Sequence, residues 1–245
     1  MGKIEVIFKK EDIQPEKLTG KTAVVFDVLF ATSTMTAAIA DGALSVLPVY
    51  SPELARKTAE AFDQPFLLAG EDQGRTIEGF YPPLRNQLKK FVAGKHLILT
   101  TTNGTVALHK AQKAADLYAS SLLNNPSTAR HLNESHSGET IVIICSGSSG
   151  LFTMEDFYGA GSLVHHMQQD GNWELSDGAL TSLHFYKGGG EARELLRSCR
   201  IGNWLMKHGL DPVEIDFAAQ EGVVEAVLAY DKITGQVKEG HYASS

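Results

Sequence analysis

The apolar positions of this chain form short continuous runs that alternate with helical patterns and small polar loops. The clearest runs are Lys21–Val28, Lys95–Thr100 and Thr140–Cys145. Continuous apolar runs of this length, rich in β-branched residues, are typical of strands buried on both faces. Weaker patterns predict further strands at Lys3–Phe8, Ala43–Val49, Pro65–Ala69, Leu117–Ser120, Val213–Phe217 and Val223–Tyr230.

Helices are predicted between these strands. Ser51 as N-cap and Pro52 at the first helical position predict a helix that continues to Ala61. Further helices are predicted at Met35–Ala40, Val106–Ala115, Pro126–Asn133, Glu155–Gln168, Ser176–Tyr186 and, as one amphipathic helix, Glu191–His208. The alternation predicts an α/β fold, a three-layer α/β/α arrangement with a mostly parallel or mixed sheet. Three similar strand–loop–helix units also suggest two similar, intertwined halves.

We expect one continuous α/β enzyme unit over residues 1–245, with two lobes, about 1–125 and 126–245, as the alternative. The 43% hydrophobic and 21% charged residues are ordinary for a globular protein. The net charge of −7, with no Lys/Arg run, argues against a nucleic-acid partner.

The absence of targeting signals in the sequence predicts the location of the protein, and the usual behaviour of similar enzymes predicts its assembly. No signal-peptide core and no membrane-length apolar run are present, and the two cysteines do not suggest a disulfide framework. We therefore expect a cytoplasmic protein without a membrane partner. An enzyme of this kind is commonly a homo-oligomer, and a homodimer is the expected assembly.

Asp27 ends the first strongly apolar strand and precedes Thr32, Ser33 and Thr34. A carboxylate at such a position is costly to bury unpaired. Two interpretations remain open: Asp27 is a metal ligand, nucleophile or base, or it caps the amides of the loop.

Two more loops follow apolar strands. Thr100–Thr105 (TTTNGT) and Ser146–Gly150 (SGSSG) combine hydroxyls with glycines just ahead of predicted helices. Free N–H groups at such junctions favour anions, although ordinary capping turns have the same composition. Two acidic pairs, Glu71-Asp72 and Glu155-Asp156, suit Mg²⁺, which takes one or two carboxylates. Their alternative interpretations are a solvated turn and helix N-terminal acids.

Together, these segments resemble the 2-phosphosulfolactate phosphatase (ComB) family. Asp27–Thr34 (DVLFATST) is similar to the family segment D-V-L-R-A-T-S-T. The other matching segments are Ala69-Gly70-Glu71 with Ile77–Phe80, Thr100–Thr105, Ser120–Asn124, and Cys145–Gly150 with Phe152, Glu155, Asp156 and Ala160-Gly161. The resemblance covers most of the chain.

The resemblance implies a Mg²⁺-dependent phosphoric monoester hydrolase that converts 2-phospho-3-sulfolactate to sulfolactate and phosphate, a step that in methanogens leads to coenzyme M. Expected catalytic residues are Asp27, Glu71 and Glu155, and expected Mg²⁺ ligands are Asp27, Glu71 and Asp156. Substrate contacts are expected from Thr32, Ser33, Thr34, Thr101, Thr102, Asn103, Gly104, Thr105, Ser146, Gly147, Ser148, Gly150 and Arg75. The attacking group is either a water molecule or Asp27 itself.

One departure from the family pattern affects the expected substrate. The family's Arg is Phe30 here, and an arginine in that loop would be a natural clamp for phosphate or sulfonate. Arg75, Arg85, Arg197 and Arg200 are candidates to replace that charge. Two alternative functions follow: a relative that binds such an acid without turnover, and a phosphatase for another phosphorylated hydroxy acid.

Overall fold

A mixed sheet of eleven strands runs through residues 1–240, the part of the chain that the computed structural model describes. The order across the sheet is β5-β4-β6-β3-β11-β10-β7-β2-β8-β1-β9. The strands are β1 (Gly2–Ile7), β2 (Thr22–Phe26), β3 (Ser45–Val49), β4 (Phe66–Asp72), β5 (Arg75–Thr76), β6 (His96–Thr100), β7 (Asp116–Ser120), β8 (Thr140–Cys145), β9 (Trp173–Leu175), β10 (Leu228–Asp231) and β11 (Gln236–Glu239).

Two groups of parallel strands make up most of this sheet. One group is β7-β2-β8-β1-β9 and the other is β3-β6-β4. The antiparallel hairpin β10–β11 lies between them, so three antiparallel ladders separate the groups. The prediction of a mostly parallel or mixed sheet is confirmed.

The central strands are buried on both faces, which explains their continuous apolar runs. Along β2, Ala23 and Val25 belong to one apolar cluster, whereas Val24 and Phe26 belong to another. Strand β8 divides its side chains in the same way. The predicted α/β/α layering is therefore confirmed.

Ten helices flank the sheet within residues 1–240, and none is long and apolar enough to cross a membrane. They are α1 (Ala31–Ala40), α2 (Pro52–Ala61), α3 (Arg85–Leu88), α4 (Gly104–Lys110), α5 (Asn125–Ser135), α6 (Met154–Asp170), α7 (Asp177–Gly188), α8 (Ala192–Ser198), α9 (Arg200–Lys207) and α10 (Pro212–Ala218). Helices α1 and α4 pack on the first apolar cluster, and α5, α6 and α7 pack on the second. The predicted cap of α2 is confirmed, because Ser51 Oγ accepts a hydrogen bond from the Leu54 amide (3.3 Å).

The single helix predicted at Glu191–His208 is wrong, because the chain breaks at Cys199. Cys199 has an extended backbone, and its Sγ accepts a hydrogen bond from the Gly202 amide (3.3 Å) at the start of α9. Gly202 lies so close to α8 that a Cβ there would be 1.8 Å from the Leu196 carbonyl oxygen. The break therefore divides the segment into α8 and α9.

The strand predicted at Val213–Phe217 is also wrong. These residues lie in α10, which begins after Asp211 with Pro212 at its first position. Asp211 Oδ1 accepts a hydrogen bond from the Val213 amide (3.0 Å). The apolar alternation at positions 213, 215 and 217 suggested a strand, but the Asp-Pro start and the burial of Ile215 and Ala218 favour a helix.

Candidate active site

A cavity of about 540 Å³ lies where the carboxyl ends of β2 and β6 meet. Asp27 follows β2, and Thr101, Thr102 and Asn103 follow β6. Glu71 of β4 adds a second carboxylate to the wall. The remaining lining residues are Leu29, Phe30, Ala31, Gln73, Gly74, Thr76, Pro82, Pro83, Leu84, Ser148, Ser149, Arg200, Ile201, Trp204, Leu205 and Leu210.

Asp27 is the most deeply buried acid in the cavity wall, with 6% of its surface exposed. Burial, with the nearby carboxylates of Asp156 and Glu71, raises the pKa of Asp27 well above its ordinary value, and a hydrogen bond from the Gly104 backbone opposes this only in part. Within residues 1–240, no Lys or Arg forms an ion pair with it. Such a carboxyl group is stabilised as an anion by a cation, or else holds a proton.

Glu71 holds the loop that follows β6. Its Oε1 accepts a hydrogen bond from the Thr102 amide (2.7 Å), and its Oε2 accepts from Thr102 Oγ1 (3.0 Å) and the Gly74 amide (2.7 Å). The Gln73 amide in turn donates to Thr102 Oγ1 (2.8 Å). These bonds tie the β4–β5 turn to the loop after β6 and fix the position of both.

Asp156 is buried and is not part of the cavity lining. Its Oδ1 accepts from the Val28 amide (2.9 Å), and its Oδ2 accepts from the Gly147 amide (3.1 Å) and Thr153 Oγ1 (2.7 Å). Burial nevertheless raises the pKa of Asp156 to about 6. The predicted metal ligand thus joins the loops after β2 and β8 and, unlike Glu71, does not line the cavity.

Glu155 is also buried outside the cavity lining, with 3% of its surface exposed. Burial, followed by the charge of Asp156, raises the pKa of Glu155 to about 7. A hydrogen bond with Cys199 and the positive charge of Arg200 oppose this shift. The predicted catalytic residue therefore lies behind the cavity wall.

The hydroxyls predicted to bind substrate after β2 are bonded to backbone. Thr32 Oγ1 donates to the Asp27 carbonyl oxygen (3.0 Å), Ser33 Oγ to that of Val28 (2.8 Å) and Thr34 Oγ1 to that of Pro83 (2.6 Å). Thr32 Oγ1 also accepts from the Asp27 amide (3.0 Å). These side chains shape the loop that carries Asp27 and do not line the cavity.

Only some of the predicted residues in the loops after β6 and β8 line the cavity. Ser148 lines the cavity, as do Thr101, Thr102 and Asn103. The predicted residues outside the lining are Gly104, Thr105, Ser146, Gly147, Gly150 and Arg75. Among residues 1–240, the buried Ser146 Oγ has no hydrogen-bond partner.

The comparisons with known proteins agree with one another. A family model described as 2-phosphosulpholactate phosphatase matches residues 7–232. The chain is 33% identical, over 96% of each chain, to a probable 2-phosphosulfolactate phosphatase of Clostridium perfringens. It is 36% identical to a protein of the same description from Deinococcus radiodurans, over 85% of this chain and 87% of the relative.

The chain belongs to the 2-phosphosulfolactate phosphatase family. The resemblance inferred from the sequence is confirmed, and the family is one of phosphoric monoester hydrolases.

In this member of the family, one of the four candidate arginines lines the cavity. Arg85 forms a two-bond ion pair with Asp41 (both 2.8 Å), and Arg197 does so with Asp216 (2.7 and 2.6 Å). Arg75 is exposed outside the lining. Arg200 lines the cavity and donates from Nη2 to the Ser148 carbonyl oxygen (3.2 Å).

Lys10 contacts a cavity-lining residue, a contact that the sequence did not predict. Its side chain is buried, and Nζ donates to Asn103 Oδ1 (2.8 Å) and pairs with Glu11 (3.1 Å). Ninety-three positions separate Lys10 from Asn103, and no local pattern marks a lysine for such a contact.

A possible metal-binding group lies at the other end of β2. Asp116, His136 and Glu139 place ligand atoms within 4.8 Å of one another, and Glu139 Oε2 accepts from Thr22 Oγ1 (2.7 Å) at the first residue of β2. Among residues 1–240, no group this compact includes Asp27. The sequence did not suggest this group, because its members come from separate segments.

Proposed function

We propose that this protein hydrolyses 2-phospho-3-sulfolactate to sulfolactate and phosphate, with Mg²⁺ bound by Asp27 and Glu71. The proposal takes its substrate from the family and from the names of the curated relatives. The observation that carries it is the pair of carboxylates in one cavity wall beside the loop Thr101–Asn103.

The residues present fit Mg²⁺. Asp27 is buried among other acids with no Lys or Arg ion pair in residues 1–240, so a bound cation would offset the burial and the repulsion that raise its pKa. Mg²⁺ typically takes only one or two protein carboxylates and completes its shell with water and phosphate oxygens. When bound, the ion would supply charge to stabilise the phosphoryl group and lower the pKa of a bound water.

The chain's own groups position the substrate. Lys10 occupies Asn103 Oδ1, and this orients the two N–H bonds of Asn103 Nδ2 away from the lysine. Since Asn103 lines the cavity, we assign this amide to a non-bridging phosphate oxygen. Apolar side chains such as Phe30, Trp204 and Leu205 cover the other side and limit the access of bulk water.

The attacking group is either water or Asp27. Direct attack by water breaks the P–O ester bond in one displacement and inverts the configuration at phosphorus. Attack by Asp27 forms an acyl phosphate that water then cleaves at phosphorus, and two displacements retain the configuration. Turnover of a phosphorothioate substrate that carries two oxygen isotopes, in water of the third isotope, distinguishes the two routes by the configuration of the released thiophosphate.

The function is tested by phosphate release from 2-phosphosulfolactate, measured with Mg²⁺ and with a chelator. We expect Mg²⁺-dependent turnover that is lost in Asp27→Asn and retained in Asp63→Asn, a matched change at an exposed loop acid. Tight binding of the substrate without phosphate release would reject the proposal in favour of a binding protein.

A further inference from the structure

We propose that Arg200 binds the sulfonate of the substrate and sets the preference of this enzyme for a sulfonated acid. The inference deepens the proposed function and rests on it for the identity of the substrate. It assigns to Arg200 of α9 the charge that the sequence lacks at Phe30, although 170 positions separate the two residues.

The distribution of charge around the cavity supports this assignment of Arg200. Among the lining residues described, two are acidic, Asp27 and Glu71, and one is basic, Arg200. A substrate with phosphate, carboxylate and sulfonate brings several negative charges into this cavity. A cation at the acids serves the phosphate, and the other end of the substrate requires a positive group from the protein.

Arg200 is built to receive such a group. Its one hydrogen bond within residues 1–240 runs from Nη2 to the Ser148 carbonyl oxygen (3.2 Å), so Nε, Nη1 and the second Nη2 hydrogen keep their donor capacity. Ser148 and Ser149 line the cavity beside it and add two hydroxyls. A planar fork of N–H donors matches two oxygens of a sulfonate, which stays ionised at any physiological pH.

The fold places Arg200 at the cavity. The break at Cys199 starts a new helix, and Arg200 is its first residue. Trp204, one turn later, packs against the β4–β5 turn so closely that a Cβ on Gly74 would lie 2.5 Å from its ring. Thus α9 is anchored beside the cavity, and Arg200 and Trp204 both belong to its lining.

Two ligand pairs test the proposal. Calorimetry compares the binding of sulfolactate and lactate with Mg²⁺ present, and steady-state kinetics compares 2-phosphosulfolactate with 2-phospholactate, which has a methyl in place of the sulfomethyl group. The variants are Arg200→Gln, Arg200→Lys and the control Arg193→Gln, a change at an exposed arginine on α8 outside the cavity lining. Melting temperatures verify that each variant is folded.

We expect Arg200→Gln to weaken sulfolactate binding and to lower kcat/KM for the sulfonated substrate by about 10- to 100-fold, the equivalent of a charge-assisted hydrogen bond. Lactate and 2-phospholactate should change little, Arg200→Lys should be intermediate, and Arg193→Gln should resemble the wild type. An equal loss for both members of each pair, or no loss, would overturn the inference. Arg200-dependent preference for sulfolactate in a protein that releases no phosphate would instead reject the proposed hydrolysis alone.

Discussion

A methyl group added to Gly104 would lie 2.7 Å from Oδ2 of Asp27 and 2.8 Å from its Cβ. The first residue of α4 is therefore in direct contact with the carboxylate that ends β2, and the Gly104 backbone hydrogen-bonds to that carboxylate. The backbone conformation of Gly104 does not itself require glycine, since its φ is not positive. The close approach to Asp27 requires it instead.

Gly104→Ala should displace the Asp27 carboxylate and abolish most phosphatase activity. The methyl group also meets Ala31 Cβ at 2.5 Å, so the crowding should cost about 1–3 kcal/mol in the free energy of unfolding. Steady-state kinetics and urea denaturation measure the two effects. Gly188→Ala is the control, because a Cβ at Gly188 in α7 meets nothing within 4 Å. Wild-type activity in Gly104→Ala would show that the position of Asp27 is not critical.

Binding of Mg²⁺ should release protons from the protein. Burial and the neighbouring acids raise the pKa of Asp27, so part of the metal-free protein holds a proton there that a metal ligand must give up. Calorimetry in buffers with different ionisation enthalpies measures the number of protons released, and the Mg²⁺ affinity should fall as the pH falls. The Asp27→Asn protein should show neither the release nor the binding. An Mg²⁺ affinity that does not change with pH would contradict the assignment of Asp27.

The metal-free protein should lose stability as the pH rises from about 4.5 to about 7. Burial and Asp156 raise the pKa of Glu155 from 4.5 to about 7. The folded state therefore holds a proton that the unfolded state has released, and the free energy of unfolding falls with pH across this window. A shift of this size corresponds to at most about 3 kcal/mol. Denaturation of chelator-treated protein at several pH values measures it.

Glu155→Gln should reduce that pH dependence, because a neutral amide does not titrate, and should leave the part that comes from Asp27 and Asp156. The exposed Glu194 of α8 provides the matched control, and Glu194→Gln should leave the slope of the wild type unchanged. Identical slopes for wild type and Glu155→Gln would show that Glu155 does not titrate in this range.

Lys10→Met should lower kcat/KM by about tenfold or more through Asn103. The ammonium group donates to Asn103 Oδ1, and its loss removes one charge-assisted hydrogen bond from the group that orients the amide. Lys17→Met, at an exposed lysine, is the control. The double variant Lys10→Met/Asn103→Ala should have the same kcat/KM as Asn103→Ala alone, because both changes remove the same contribution of the Asn103 amide. Fully additive losses would show that Lys10 acts by another route.

The sequence predicted the parts of the fold that depend on local pattern. Thr140–Cys145 was predicted with its observed bounds, because burial on both faces leaves one continuous apolar run between polar turns. Ser51 and Pro52 marked the start of α2 by the chemistry of the helix end. The strand predicted at Val213–Phe217 was wrong because that prediction used only the local apolar alternation. It overlooked the helix-start signal at Asp211-Pro212.

The sequence by itself also determined the family and the segments that meet at the cavity, since Asp27, Glu71, Thr101, Thr102, Asn103 and Ser148 all follow or end apolar strands. Only the tertiary structure decided the tasks of the side chains. Strands β2 and β6 belong to two parallel groups that three antiparallel ladders separate. Their carboxyl ends nevertheless meet at the cavity. The cavity therefore does not lie along the edge of one parallel group of strands.

The same holds for the charged groups. Asp156 and Arg197 resemble Asp27 and Arg200 in sequence, yet the first pair is engaged within the protein and the second faces the cavity. Contacts between residues far apart in the chain decide which charged side chain is paired within the protein and which is left to bind a ligand. Local sequence patterns do not encode such contacts.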